Sequence, residues 1–420
     1  FTADLRGALA ALDHAAELIQ VAVTDDEPGY AYGAEVRYEI AEKEIAAYRR
    51  VADFLNTNGI ETVSLQHEFG LFGGPAGSHI LALLRDLRMP VVTTLHTILR
   101  DPDPAQRKVI EGLSECSDRL VTMSRRGEQF LREIYRIPAE KIDFIPHGIP
   151  NVPYIDPTFY KDKFKVEGKI VLLTFGLLSP GKGLGNVIAA MPAILARHPN
   201  VVYLVVGATH PHLLRREGES YRVGLEQQAV ELGVEGSVVF HNRFVSSDEL
   251  LEFLGAADLF ISPYPNEAQI VSGTLAQALG AGKAVVSTPY WYAQELLADE
   301  CGALVPFDDP PALAARVIEL LDQESARHAM RKRAYMRGRE MIWPEVARLY
   351  TRSFEQAQAR HERRMGPAGV FVTLHERPRE LPLMKLDHLR RLTDNTGIFQ
   401  HAVFAVPDFS HGYTTDDNAR

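Results

Sequence analysis

The chain is short of the residues that would mark a stapled or membrane-embedded fold. Its 420 residues include only two cysteines, Cys116 and Cys301, far apart in the sequence. Two such residues supply neither a disulfide framework nor a cysteine metal site, and they fit a reducing, cytoplasmic setting. No apolar run approaches the ~18 residues of a membrane-spanning helix. Positive charge is also scarce, with 45 Lys+Arg against 55 Asp+Glu and a net of −10. That balance argues against a general nucleic-acid binder and leaves room only for a local basic pocket. Short-period repeats, low-complexity tracts, H-E-x-x-H and a Ser-His-Asp order are all missing.

What the chain does contain is alternation. Apolar β-rich runs at 19–24, 62–67, 90–96, 119–124 and 141–149 are separated by helical patterns. After a break at Pro150, Pro153 and Pro157 the series restarts at 169–176, 201–207, 238–244, 259–264, 284–290 and 303–307. Continuous apolar strands separated by helices predict parallel sheets covered on both faces. The expected architecture is α/β, with two doubly wound Rossmann-like domains facing a cleft and helices after them. Its bounds are 1–152, 153–342, a packing helix at 343–366 returning to the first domain, and 367–420 as a linker and the start of a further domain. The chain begins at Phe1 in a helical pattern (Leu5, Leu9, Leu12) and stops at DDNAR, so the reading expects a fragment lacking its first strand.

Ligands in such sheets sit beyond the carboxyl ends of the strands. TFGLLSPGKG (174–183) follows a strand and opens a helix, where free amides, the helix dipole and Lys182 favour an anion. Gly176 to Lys182 fits the first seven positions of a P-loop, but Gly183 stands where Ser or Thr would hold Mg²⁺. A P-loop and a plain glycine-rich turn both stay open, and a metal-free phosphate or diphosphate site fits best. A second strand leads into NEAQIVSGTLAQ (266–277). There Ser272, Gly273 and Thr274 present hydroxyls and amides at another helix start, with simple N-capping as the bland alternative. His67 and His96 each end a strand, the former read as structural. His147-Gly148 reads as a turn, Asp101-Pro102-Asp103-Pro104 as a turn imitating a metal motif, and nothing tests Asp416-Asp417.

These two motifs together resemble the GT-B glycosyltransferases of the family-4 (group 1, retaining) type, over residues 1 to about 365. FGLLSPGKG is similar to that family's G-R-x-x-x-x-K-G phosphate loop. ISPYPNEAQIVSGTLAQALGAGKAVVSTPYWYAQELL is similar to its E-x7-E segment with a downstream Glu, here Glu295. The end, LRRLTDNTGIFQHAVFAVPDFSHGYTTDDNAR, resembles the opening of a domain fused behind some of these enzymes. The resemblance implies a phosphate-gripping role for Lys182 in a loop with Gly176, Gly181 and Gly183. It implies donor contacts from Ser272, Gly273, Thr274 and Gln277, a nucleobase neighbour in Phe244, and His96 near the transferred sugar. It also locates three departures: Leu177 replaces an arginine, and Gln269 and Gln277 replace carboxylates. Gln277 can still bridge ribose hydroxyls. Gln269 cannot supply charge, and Glu267 is the neighbouring carboxylate that could.

The implied activity is retaining transfer of a hexose from a nucleotide diphosphate sugar to a carbohydrate or lipid acceptor, without a cofactor or metal. Peripheral membrane contact is compatible with a lipid acceptor. A GT-B-type phosphorylase and a non-catalytic sugar-nucleotide-binding module are the alternatives.

Overall fold

The computed structural model describes residues 1–25, 29–365 and 384–418, apart from the side chains of residues 364, 365, 416 and 417. The side chains of Asp416 and Asp417, and residues 367–383 of the expected linker and further domain at 367–420, therefore lie outside what is described. The chain divides into two compact units. The N-terminal unit holds Asp13–Thr122, Glu128–Phe144 and Leu349 onward, and the C-terminal unit holds Phe1–Leu12, Met123–Gly127 and Ile145–Arg348.

The opening helix α1 (Thr2–Leu12) is part of the C-terminal unit and buries Leu5. In the N-terminal unit β1 (Gln20–Thr24) pairs in parallel with β2 (Val36–Ala41), and this pair forms a sheet of its own. β2 was not foreseen, because VRYEIA alternates exposed charge with apolar residues instead of running continuously apolar. Helix α2 (Ile45–Thr57) buries Tyr48, Val51, Ala52 and Leu55. The main sheet is β3 (Val63–His67), β4 (Val91–Leu95), β5 (Arg119–Thr122) and β6 (Ile142–Phe144), all parallel and in chain order. Helices α3 (Ile80–Asp86), α4 (Pro104–Cys116) and α5 (Arg125–Glu133) connect them. Asp103 is the N-cap of α4, accepting from the amides of Ala105 and Gln106 while the Gln106 side chain returns the bond. The D-P-D-P stretch is thus a capping box, which explains its carboxylate without a metal. The expected strand at 141–149 stops at Phe144, and Ile149 makes only an isolated bridge to Ile342. Pro146 has no amide with which to continue the ladder.

The C-terminal unit holds six parallel strands: β7 (Ile170–Phe175), β8 (Val201–Val206), β9 (Val238–His241), β10 (Leu259–Ser262), β11 (Ala284–Ser287) and β12 (Ala303–Leu304). Their order is β9-β8-β7-β10-β11-β12, the doubly wound pattern. Alternate residues face opposite cores. Val171, Leu173 and Phe175 join one apolar cluster while Leu172 joins the other, and Val202, Leu204 and Val206 oppose Val201, Tyr203 and Val205. Burial of both faces is why these strands read as unbroken apolar runs. Helices α6 (Leu184–Arg197), α7 (Pro211–Glu217), α8 (Ser220–Glu231), α9 (Ser247–Ala256), α10 (Gly273–Gly280) and α11 (Trp291–Leu296) fill the connections. After β12 come α12 (Pro310–Asp322), α13 (Glu324–Gly338) and the long α14 (Trp343–Met365). The later part of α14 is bonded into the N-terminal unit. Tyr350 Oη lies 2.8 Å from Thr94 Oγ1, and Ser353 donates to Asp143 at 2.7 Å. No helix among the described residues is long and apolar enough to cross a membrane.

The order of the six strands has a geometric consequence. The chain leaves β7 towards β8 on one side and leaves β10 towards β11 on the other. The carboxyl ends of the adjacent β7 and β10 therefore flank the topological switch point, where connecting loops diverge and leave a crevice.

One buried lysine bonds across this core. Lys283, fully buried just before β11, donates to the carbonyls of Gly255 and Ala257 at the end of α9, at 3.1 and 3.2 Å. Burial, reinforced by the charge of Arg331, lowers its ammonium to about 7. An unfolded lysine stays protonated to about 10.4. Between those values unfolding takes up a proton, so Lys283 makes stability rise with pH. Thermal unfolding of Lys283→Met at pH 6.5 and 9 should accordingly show a smaller alkaline gain than the wild-type chain. Equal gains would mean that Lys283 titrates normally.

Candidate anion site at the sheet switch point

The loop after β7 is held by backbone before any side chain acts. The Gly176 amide donates to the Val206 carbonyl, and Leu178 bonds to the Ala208 carbonyl, so the loop runs beside the end of β8. Pro180–Lys182 form one 3₁₀ turn, and Gly183 follows at φ 65° as the N-cap of α6, with no side-chain cap. A Cβ on Gly183 would stand 1.9 Å from the Pro263 carbonyl oxygen. Glycine is needed there for both its left-handed backbone and its close approach to the segment after β10. The first amides of α6 have no acceptor within the helix.

From β10 the chain runs through Pro263 and Tyr264 into α10. Ser272 is the N-cap, its Oγ accepting from the Leu275 amide at 3.3 Å. The bland capping reading is therefore correct for the Ser272 oxygen. It leaves the amides of Gly273 and Thr274, the first two of α10, without acceptors inside the helix.

The two loops meet at Tyr264. Lys182 Nζ donates to Tyr264 Oη at 2.6 Å, and the same oxygen lies 3.1 Å from Thr274 Oγ1 and 3.4 Å from Ser272 Oγ. Thr274 and Ser272 are themselves 3.1 Å apart. Nζ lies 4.5 Å from the ring centre, but its short contact with the hydroxyl places it at the oxygen end, so the hydrogen bond carries the interaction. Burial alone would raise the Tyr264 phenol. The Lys182 charge and the bonds from Lys182, Ser272 and Thr274 outweigh it and hold the phenol below its ordinary value. A Cβ on Gly176 would lie 3.5 Å from the Thr274 methyl and 3.7 Å from Lys182 Nζ. Gly176, Lys182, Gly183, Ser272, Gly273 and Thr274 are thus gathered at the switch point. One ammonium, two helix starts and two hydroxyls suit a phosphate or diphosphate.

Tyr264 and His147 were not foreseen. Tyr264 lies two residues beyond β10, and its position at a strand's carboxyl end was the available signal. His147 is no turn residue. Its ring packs edge-on to Phe1 at 5.2 Å, and its Nδ1 lies 2.8 Å from the Gly148 carbonyl. Its Nε2 would be 2.9 Å from a Cβ on Gly273. Desolvation lowers its pKa to about 4, so the ring is neutral at pH 7.

Gln269 is exposed and donates to the Val271 carbonyl at 2.7 Å, within its own loop. Glu267 is exposed, and its backbone carbonyl accepts from the Trp291 amide at 3.0 Å. Gln277 lies one turn into α10 and is half-buried, Gly181 is exposed, and Phe244 is 83% exposed. Glu295 caps the start of α5, accepting from the amides of Arg125 and Arg126 at 2.8–3.3 Å. Within the N-terminal unit His96 Nε2 lies 2.9 Å from Gln66 Oε1. His67 is buried and stacked on Phe72, and desolvation followed by the His96 charge lowers its pKa to about 4. Among the described residues no group of three or more His, Cys, Asp or Glu is arranged to hold a metal ion.

Residues 156–337 match the family model of group 1 glycosyl transferases, and residues 1–151 match that of glycosyltransferase family 4. The chain belongs to the group 1, family 4 type of glycosyltransferases. It is 28% identical over 215 residues to a phosphatidyl-myo-inositol mannosyltransferase of Mycolicibacterium smegmatis, covering 50% of this chain and 51% of that one. It is 26% identical over 351 residues to a D-inositol 3-phosphate glycosyltransferase of Corynebacterium efficiens, covering 78% of each. The chain thus spans about half the length of the mannosyltransferase relative. In fold it is similar to sucrose-phosphate synthase of Thermosynechococcus elongatus, with TM-score 0.69, 17% identity, and 85% and 92% of the two chains covered. A second structural neighbour is Anabaena HepE in complex with UDP and glucose, with TM-score 0.63, 15% identity, and 80% and 99% covered.

In this family member the glycine at 183 is a steric requirement. Gly183→Ala should destabilise the C-terminal unit by ~2 kcal/mol or more, a drop of roughly 4–8 °C in its melting midpoint. An unchanged midpoint would mean that the loop rearranges freely.

Proposed function

We propose that this glycosyltransferase-family chain transfers a hexose, with retention, from a nucleotide diphosphate sugar to a carbohydrate or lipid acceptor. The observation that carries the reading is the convergence of Lys182, the Gly273 and Thr274 amides and the Thr274 hydroxyl at the switch point. Those groups suit the charge that develops on a departing diphosphate, which is where electrostatic stabilisation lowers the barrier. The sugar C1–O bond to the β-phosphate breaks, the acceptor oxygen bonds to C1 on the same face, and the acceptor proton passes to the departing phosphate oxygen. No step requires a metal.

In this reading Gln277 bridges ribose hydroxyls, Gln269 orients a hydroxyl of the donor sugar, and Glu267 swings in to supply the carboxylate that Gln269 lacks. Phe244 lies beside the nucleobase, Gly176, Gly181 and Gly183 shape the phosphate loop, and His96 contacts the transferred sugar. The names of the relatives support a sugar donor and a lipid or inositol acceptor, and the neighbour holding UDP and glucose supports a nucleotide donor. One observation favours a second reading, a non-catalytic sugar-nucleotide-binding module. Leu177, Gln269 and Gln277 are uncharged where the family resemblance implies an arginine and two carboxylates.

Calorimetry with UDP- and GDP-sugars tests the proposal. A donor should bind, and Lys182→Ala should weaken it by ~1.5–3 kcal/mol through loss of a charged hydrogen bond. Unchanged affinity would overturn the assignment of the phosphate site. Binding without transfer or hydrolysis would favour the binding module, and turnover with inorganic phosphate alone would point to a phosphorylase.

A further inference from the structure

The two halves of the anion site are joined through one phenol, and the direction of its hydrogen bonds follows from the donor inventory. A lysine ammonium only donates, so Lys182 must donate to Tyr264 Oη at 2.6 Å. Tyr264 must then place its own proton elsewhere. Ser272 Oγ is the longer choice at 3.4 Å and already accepts from the Leu275 amide. Thr274 Oγ1 is closer, at 3.1 Å. With its oxygen engaged as an acceptor, Thr274 turns its own hydrogen to Ser272 Oγ or to a ligand oxygen before α10. The phenol is held in place on every side. Its ring stacks on Tyr290 at 4.9 Å and 16°, the Tyr290 hydroxyl lies 2.9 Å from Ser262 Oγ, and the Tyr264 carbonyl accepts from Thr288 Oγ1 at 2.6 Å.

We propose that Tyr264 is a positioning residue for the donor diphosphate. It fixes the Lys182 ammonium beside the start of α10 and turns the Thr274 proton towards phosphate. The inference rests on the reading of Lys182 as a phosphate ligand. It also predicts a pH dependence. The titratable groups facing the phenol are Lys182 from the loop after β7 and Tyr290 from the segment after β11, and α10 contributes only the hydroxyls of Ser272 and Thr274. A Tyr264 phenolate cannot donate to Thr274, and it repels a diphosphate. Since Lys182 holds this phenol below its ordinary value, diphosphate affinity falls as pH rises towards that value.

Calorimetry on the full chain with UDP, GDP and inorganic pyrophosphate tests this, with uridine and guanosine as phosphate-free controls. Tyr264→Phe and Thr274→Val should each weaken diphosphate binding ~10-fold, Thr274→Ser should restore it, and nucleoside affinity should not change. Wild-type affinity for UDP should fall between pH 7 and 9.5, while that of Tyr264→Phe stays level. If Tyr264→Phe fails to fold, the Thr274 pair carries the test. Should Lys182→Ala lose diphosphate while Tyr264→Phe and Thr274→Val stay within twofold of wild type, the positioning role is overturned and the phosphate site stands. An equal loss for nucleosides would also overturn it, as general damage. No diphosphate binding by the wild-type chain, or none lost in Lys182→Ala, would overturn the phosphate site itself.

Discussion

The contact between Lys182 and Tyr264 joins two residues 82 positions apart in the chain, on loops that the sheet brings side by side. Its basis is the strand order, in which β7 and β10 are neighbours while their onward connections diverge. That divergence leaves a crevice, and two helices begin beside it. Each brings backbone amides without acceptors, a cost that an anion relieves. The glycines follow from the same crowding. Gly183 lies against the Pro263 carbonyl, and a Cβ on Gly207 would stand 2.1 Å from the Gly176 oxygen. Side chains at either position would push the loops apart.

The electrostatics of this site differ from those its family resemblance suggests. Where the family resemblance implies an arginine and two carboxylates, this chain has Leu177, Gln269 and Gln277. Glu295, the downstream Glu of the family-like segment, accepts from the amides of Arg125 and Arg126. Lys182 has a phenol as its hydrogen-bond partner. A carboxylate there would neutralise the ammonium, and an anion would have to displace it. A protonated phenol leaves the positive charge largely intact while fixing its position.

Much of this was legible in the chain. TFGLLSPGKG and SGTLAQALGAG each combine an apolar strand or helix face with glycines at a turn, a local pattern that survives without knowledge of neighbours. β2, the early end of β6, Tyr264 and His147 were not legible. β2 is half exposed and carries charge, so it lacks the apolar continuity of a central strand. Tyr264 reads as one more aromatic of a strand end, and its importance depends on Lys182 and Thr274 arriving from other elements. His147 looks like a turn residue until the packing of Phe1 and Trp343 around it is known.

The sequence by itself determined the α/β class, the run of buried strands and the presence of two glycine-bounded helix starts, because these depend on periodicity and backbone freedom within a few residues. Tertiary structure alone decided which strands became neighbours and which phenol faced Lys182. It also decided that Glu295 would cap a helix rather than remain available. Those outcomes depend on distances between residues far apart in the chain, and local pattern carries no information about such distances.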